Sequence, residues 1–402
     1  MSLRKLLIVW SCFVLSSSGA DSPTNAAARL TAALSTGAVQ LKFETNGFGY
    51  LRSLLENLGI KADTQVLVFS KTSFQSDLIS PRNPRAVYFN DNVSVGFVPG
   101  GEVYEIIAVD PASGLEFYTL STHREEKPTL RQRGRECLSC HASVNELVPG
   151  LMLGSVYPAA DGAPFTPGSA AFNMTTQHTP FEDLWGGWYV TGTHGGQHHL
   201  GNAVAPDPAK PFELEQTGTQ NLTSLQTKFD ISKHILPTSD IVALMTLNHQ
   251  VHATNLINSL NARTRDLISI DNLDPENRKA VEANIDALTV CLLYADAIPL
   301  ASPIRGVSTF TDTFPKAGPH DPQGRSLRDF DLQTGLFRYP LSYMIYSPAF
   351  AALSAPVKAV VYQRLLSVLT GNGRSPLLAK IPLDTRKAAL EIFRATVPDA
   401  PR

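Results

Sequence analysis

Residues 85–120 read RAVYFNDNVSVGFVPGGEVYEIIAVDPASGLEFYTL. Four runs rich in β-branched and aromatic residues are separated there by short clusters of turn formers. Residues 85–89 are followed by Asn90-Asp91-Asn92, and residues 93–98 by Pro99-Gly100-Gly101. Residues 103–109 are followed by Asp110-Pro111 and Ser113-Gly114, after which residues 115–120 form the fourth run. Short runs of this composition, bounded by Asn, Asp, Pro and Gly, predict an antiparallel meander.

Working outward, residues 26–60 read as mostly helical, interrupted near Asn46-Gly47, and residues 151–157 and 187–191 as further strands. A Pro-rich stretch at 205–211 opens a connector over 205–238. From Ser239 a helical period takes over. Ser239 is the expected cap of a helix running to about Leu260, and Asp274-Pro275 opens another through Ala297, since Pro suits a first helical turn. Residues 356–370, stopped by Gly371, and 384–395 complete the helices. The expected fold class is α+β: a β-meander-rich N-terminal half over residues 21–204, then a mainly α-helical region over 239–402 packing on it.

Residues 1–20 have the three parts of a secretory signal in order. Arg4 and Lys5 form the charged start, residues 6–15 an apolar run broken by Ser11, and Ser18-Gly19-Ala20 a small-residue cleavage site. That run is too short to span a bilayer and no later stretch is long enough. The mature chain is therefore expected in the periplasm, without a transmembrane segment. Loss of the signal leaves Cys137, Cys140 and Cys291, too few for a disulfide scaffold. Cys291 lies in the apolar run ALTVCLL and is expected to be a buried, inert thiol. The formal charge of −2 argues against a broad nucleic-acid surface.

Cys137-Leu138-Ser139-Cys140-His141, CLSCH, carries the chemistry. A c-type haem needs two thiols for its two vinyl groups and a histidine next in sequence to bind the iron, and Cys-x-x-Cys-His supplies both. Attachment takes place on the exported side of a bacterial membrane, so signal and motif support each other. A redox dithiol normally sits where a strand meets a helix, with a lowered thiol pKa, whereas residues 131–136 read as a loop. A zinc site needs two further ligands, for which His194, His198 and His199 are available.

Five separate blocks carry a resemblance. QVLVFSKTS at 65–73, RAVYFN at 85–90, CLSCH, WGGWYVTGTHG at 185–195 and YMIYS at 343–347 are together similar to a bacterial family of exported proteins described only as containing a cytochrome c domain. The resemblance covers nearly all of the mature chain and implies one covalent haem c and electron transfer; no substrate comes with it.

The distal side decides between a carrier, which holds a sixth ligand, and an enzyme, which leaves the position open. Met152, Met174, Met245, Met344 and the histidines outside CLSCH are the candidates. Met344 follows Tyr339-Pro340, and His194 follows two tryptophans and a glycine pair that suit a porphyrin wall. His249 and His252 share one stripe of the helix that begins near Ser239, as for a lined cavity. Arg124, Lys127, Arg131, Arg133 and Arg135 approach CLSCH and read as a solvated loop, or as charge for haem propionates or an acidic partner. The first expectation is a monohaem cytochrome passing electrons between periplasmic partners. A haem-dependent oxidoreductase with an open distal site and a zinc-binding structural protein are the alternatives.

Overall fold

The computed structural model describes residues 24–142, 147–165, 173–267, 269–371 and 381–401. The signal expected over residues 1–20 lies outside them. The meander forms as expected, as β2 (Arg85–Phe89), β3 (Val93–Phe97), β4 (Val103–Asp110) and β5 (Gly114–Ser121), with β1 (Val66–Val68) before it and β6 (Arg131–Arg133) after it. β7 (Gly154–Ser155) and β8 (Asn173–Met174) pair separately, and β9 (Trp188–Tyr189) closes the main sheet. The seven strands lie antiparallel in the order β6-β5-β4-β3-β2-β1-β9.

Successive side chains of a strand point to opposite faces, and this sorts the sheet between two cores. On β4, Tyr104, Ile106 and Ala108 are buried, whereas Val103, Glu105, Ile107 and Val109 are only half-buried. The buried set packs with α1 (Ala26–Ser35) and α2 (Leu51–Asn57) in the smaller core. These two helices replace the interrupted helical stretch read over 26–60. The opposite face sends Val87 and Phe89 into a larger core.

That larger core is built by the C-terminal helices. After α3 (Arg135–His141), which carries CLSCH, come α4 (Ile241–Thr264), α5 (Pro275–Leu292), α6 (Phe310–Thr313), α7 (Pro348–Ala351), α8 (Ala355–Leu369) and α9 (Leu383–Thr396). The helical region thus packs on the sheet, and α+β describes the whole.

Two boundaries differ from expectation, each for an identifiable reason. Asp240, not Ser239, caps α4: one carboxylate oxygen accepts from the Val242 and Ala243 N–H groups at 2.8 and 3.4 Å. Ser239 is occupied elsewhere, its Oγ donating to the Tyr189 carbonyl at 2.6 Å and accepting from the Leu67 N–H at 2.9 Å. α5 is capped by Asp274 as expected but stops at Leu292, because Tyr294 turns into the left-handed region at φ +52°. The 205–238 connector is tied down rather than loose. Leu225 and Phe229 enter the smaller core, and the Gln65 amide donates to the carbonyls of Leu236 and Thr238. Among the described residues, no helix is long and apolar enough to cross a membrane.

Candidate functional site

CLSCH lies at a strand-to-helix junction, which corrects the loop reading of residues 131–136. β6 pairs with β5, placing Arg133 opposite Phe117, and Gly134 then opens α3 without a side-chain cap. No residue of α3 is buried. The junction is the setting expected of a redox dithiol, but the electrostatics run the other way. Burial raises the Cys137 thiol pKa, with the Glu136 and Glu105 carboxylates adding to the rise, whereas a reactive dithiol needs it lowered.

His141 closes α3 and is fixed by the chain that follows. Its Nδ1 lies 2.7 Å from the Gly150 carbonyl oxygen, while the Gly150 N–H donates to the His141 carbonyl at 3.0 Å. A carbonyl only accepts, so Nδ1 carries the proton and Nε2 keeps its lone pair. Burial holds the imidazole pKa below its ordinary value, and the Phe117 ring lies 4.9 Å from it, centroid to centroid.

The two cysteines and His141 line a cavity of about 630 Å³ between the second face of the sheet, α3, residues 151–154 and α4. That volume is within the range of small-molecule and cofactor pockets. Val87, Phe117, Leu153, Trp188, Leu247 and Val251 supply apolar wall. On the floor, Arg85 pairs with Glu105 at 3.1 Å, and Glu105 also accepts from Gln75 at 3.1 Å. Arg85 Nε is buried with no hydrogen-bond partner. Gly96 makes room for this guanidinium: a Cβ there would come within 3.2 Å of Arg85 Nε. Arg133 also lines the cavity, donating to Thr119 Oγ1 at 2.9 Å, so the basic approach to CLSCH is not wholly solvated.

This donor set suits a tethered haem in three respects. Two thiols three residues apart lie on one helical turn, the adjacent histidine has its ligating nitrogen selected, and the space beside them is largely apolar. Cys137, Cys140 and His141 would hold the group, and α3, none of whose residues is fully buried, would gain a packing partner.

Of the other sequence candidates for a ligand, Met152 alone lies in the lining. Met344 is buried in the larger core, a gap-filling position rather than a distal one. His194 is fully buried, and its Nε2 accepts from the Asn221 N–H at 3.0 Å. Its Nε2 lone pair is therefore engaged, and the proton falls to Nδ1, which is buried without a hydrogen-bond partner. His199 is committed in the same way, with Nδ1 accepting from the Gly201 N–H at 3.0 Å. His249 uses both nitrogens, toward Gln177 Oε1 at 2.6 Å and Ser342 Oγ at 2.7 Å, while His252 Nδ1 lies 3.7 Å from the Cys291 sulfur. Cys291 itself is fully buried. Met174 and Met245 do not line the cavity either; Met152 does.

The polar side chains of α4 act mainly as clamps, and of them Gln250 also lines the cavity. Asn248 bonds to Thr175 and Thr176, Gln250 to the Asn90 carbonyl, and Asn255 to Leu151. The glycine pair in WGGW likewise serves chain packing. A Cβ at Gly186 would collide with the Val156 carbonyl oxygen, and only Trp188 of the two tryptophans reaches the cavity. Sequence reading missed Arg85, Glu105, Phe117 and Gly150. Alternation marks Glu105 and Phe117 as sharing a face, but nothing local says what that face meets.

Among the described residues, no group of three or more His, Cys, Asp or Glu side chains converges as a metal site, so the zinc reading finds no further ligands there. Compared with known proteins, the chain matches no family model, no curated protein and no solved structure.

Proposed function

We propose that this chain is an exported monohaem c-type cytochrome, similar to the uncharacterised cytochrome c domain family that its sequence blocks resemble, transferring electrons between periplasmic partners. Cys137 and Cys140 are the covalent anchors and His141 the proximal ligand of one haem c. One observation carries the reading. The His141 Nδ1–H is held by the Gly150 carbonyl at 2.7 Å beside a cavity of about 630 Å³, which leaves Nε2 for iron next to the two thiols.

A second reading, a haem-dependent oxidoreductase with an open distal side, is supported by the lining itself. Neither His194 nor Met344 belongs to it. Met152 does, two residues beyond the Gly150 that holds His141.

Protein matured with the haem-attachment machinery is expected to give a reduced-minus-oxidised spectrum of c type and an intact mass one haem above the processed chain. Colourless protein of bare-chain mass overturns both haem readings. A high-spin spectrum shifted by cyanide or carbon monoxide selects the open site; an unresponsive low-spin spectrum selects the carrier.

A further inference from the structure

Asn255 is half-buried on α4, and its side chain grips both backbone polar groups of a single residue in the segment after CLSCH. Its Oδ1 accepts from the Leu151 N–H at 2.8 Å and its Nδ2 donates to the Leu151 carbonyl at 2.9 Å. The carboxamide acts as a one-residue antiparallel partner for a segment that belongs to no strand there. Only an amide offers an acceptor and a donor side by side; Asp lacks the donor and Leu lacks both.

The residue before Leu151 is Gly150, whose carbonyl holds His141 Nδ1 at 2.7 Å and whose N–H returns to the His141 carbonyl at 3.0 Å. Fixing the Leu151 peptide therefore fixes where the Gly150 carbonyl points. α4 is a firm base for this. It runs for 24 residues and is capped by a buried carboxylate, Asp240, that also accepts from the Val307 and Ser308 N–H groups, each at 2.7 Å.

We propose that Asn255 is a positioning residue for His141, acting through Leu151 and Gly150 to set the tautomer and orientation of the imidazole. The consequence for redox chemistry rests on the haem reading above. A proximal imidazole that donates its Nδ1–H to a carbonyl is a stronger electron donor to iron and favours the ferric state. Loosening the clamp raises the midpoint potential.

The test compares Asn255→Leu and Asn255→Asp with Asn248→Leu. Asn248 is a matched control on the same helix. It clamps a different loop, accepting from Thr175 Oγ1 and donating to the Thr176 carbonyl, each at 2.8 Å. All variants are matured with haem and titrated for midpoint potential, and the His141 tautomer is read by nitrogen NMR in protein made without haem attachment. The expected result is an upward potential shift for Asn255→Leu, a smaller one for Asn255→Asp, and none for Asn248→Leu. In the haem-free protein, the Nδ1–H tautomer should persist in wild type and Asn248→Leu and become mixed in Asn255→Leu. An unchanged tautomer in Asn255→Leu overturns the positioning role, as does an equal potential shift in the control. Wild type that takes up no haem overturns the haem reading alone, and the tautomer comparison still decides the role of Asn255.

Discussion

His249 and His199 are buried with no carboxylate acting on them and His234 with only a lesser pull from Asp230, and each is held neutral by the cost of desolvating a cation. Burial pushes His249 and His199 down to about 3 and His234 to about 4. In the unfolded chain each titrates near ~6.5. Between that pH and the depressed values the unfolded chain binds more protons than the folded one, so stability falls as pH drops and is flat above ~7. Each group contributes a slope of up to about 1.4 kcal/mol per pH unit. Urea midpoints recorded from pH 7 to 4.5 should fall steeply, and His234→Gln should flatten the fall. Gly96 is a second single-residue control. Gly96→Val should push the Arg85 guanidinium off the cavity floor and cost about 1–3 kcal/mol, read by urea unfolding, whereas Ser94→Val on the same strand should cost less.

At the scale of elements, α3 is the least supported. Seven residues are too few for a stable isolated helix, Gly134 gives no side-chain cap, and none of its side chains is buried. A covalently bound porphyrin would supply the missing contacts. Backbone amides of residues 137–140 should therefore exchange faster in Cys137→Ala/Cys140→Ala protein than in the haem-loaded form, while His141 stays held by Gly150 and the α4 amides stay protected in both. Equal protection in both forms would mean that the cofactor adds no support to α3.

How far elements could be read from the chain depended on how local their causes are. The β2–β5 meander was legible because each turn carries its own Asn, Asp, Pro or Gly, and α5 because Asp274-Pro275 is a self-contained start signal. The cap of α4 was one residue off because Ser239 is drawn away by Tyr189 and Leu67, partners 50 and 172 residues distant. β6 was missed because three polar residues, Arg131, Gln132 and Arg133, have no β signature; pairing with β5 alone makes them a strand. CLSCH announces its chemistry in five letters, but the cavity beside it is assembled from β1 to β5, α4 and a loop. No window of sequence contains it.

Across the whole molecule, the two cores meet at the sheet, and one junction beside it ties several segments together. The Thr191 N–H donates to Ser239 and the Ile241 N–H to Thr191, while Asp240 accepts four backbone N–H groups from two segments. Asp240→Ala would leave buried donors unpaired and should cost about 3–5 kcal/mol, measurable as a fall in urea midpoint; Asp240→Asn, which keeps one acceptor, should cost less. If the alanine variant lost under about 1 kcal/mol, other groups or water would be satisfying those donors.

The pleat of β4 separates two kinds of inheritance. Substitutions at Tyr104, Ile106 or Ala108 are paid in foldedness, whereas those at Glu105, Ile107 or Val109 change the chamber's chemistry and leave the opposite packing intact. A lineage could thus revise what the chamber accepts, one alternate position at a time, without renegotiating the scaffold.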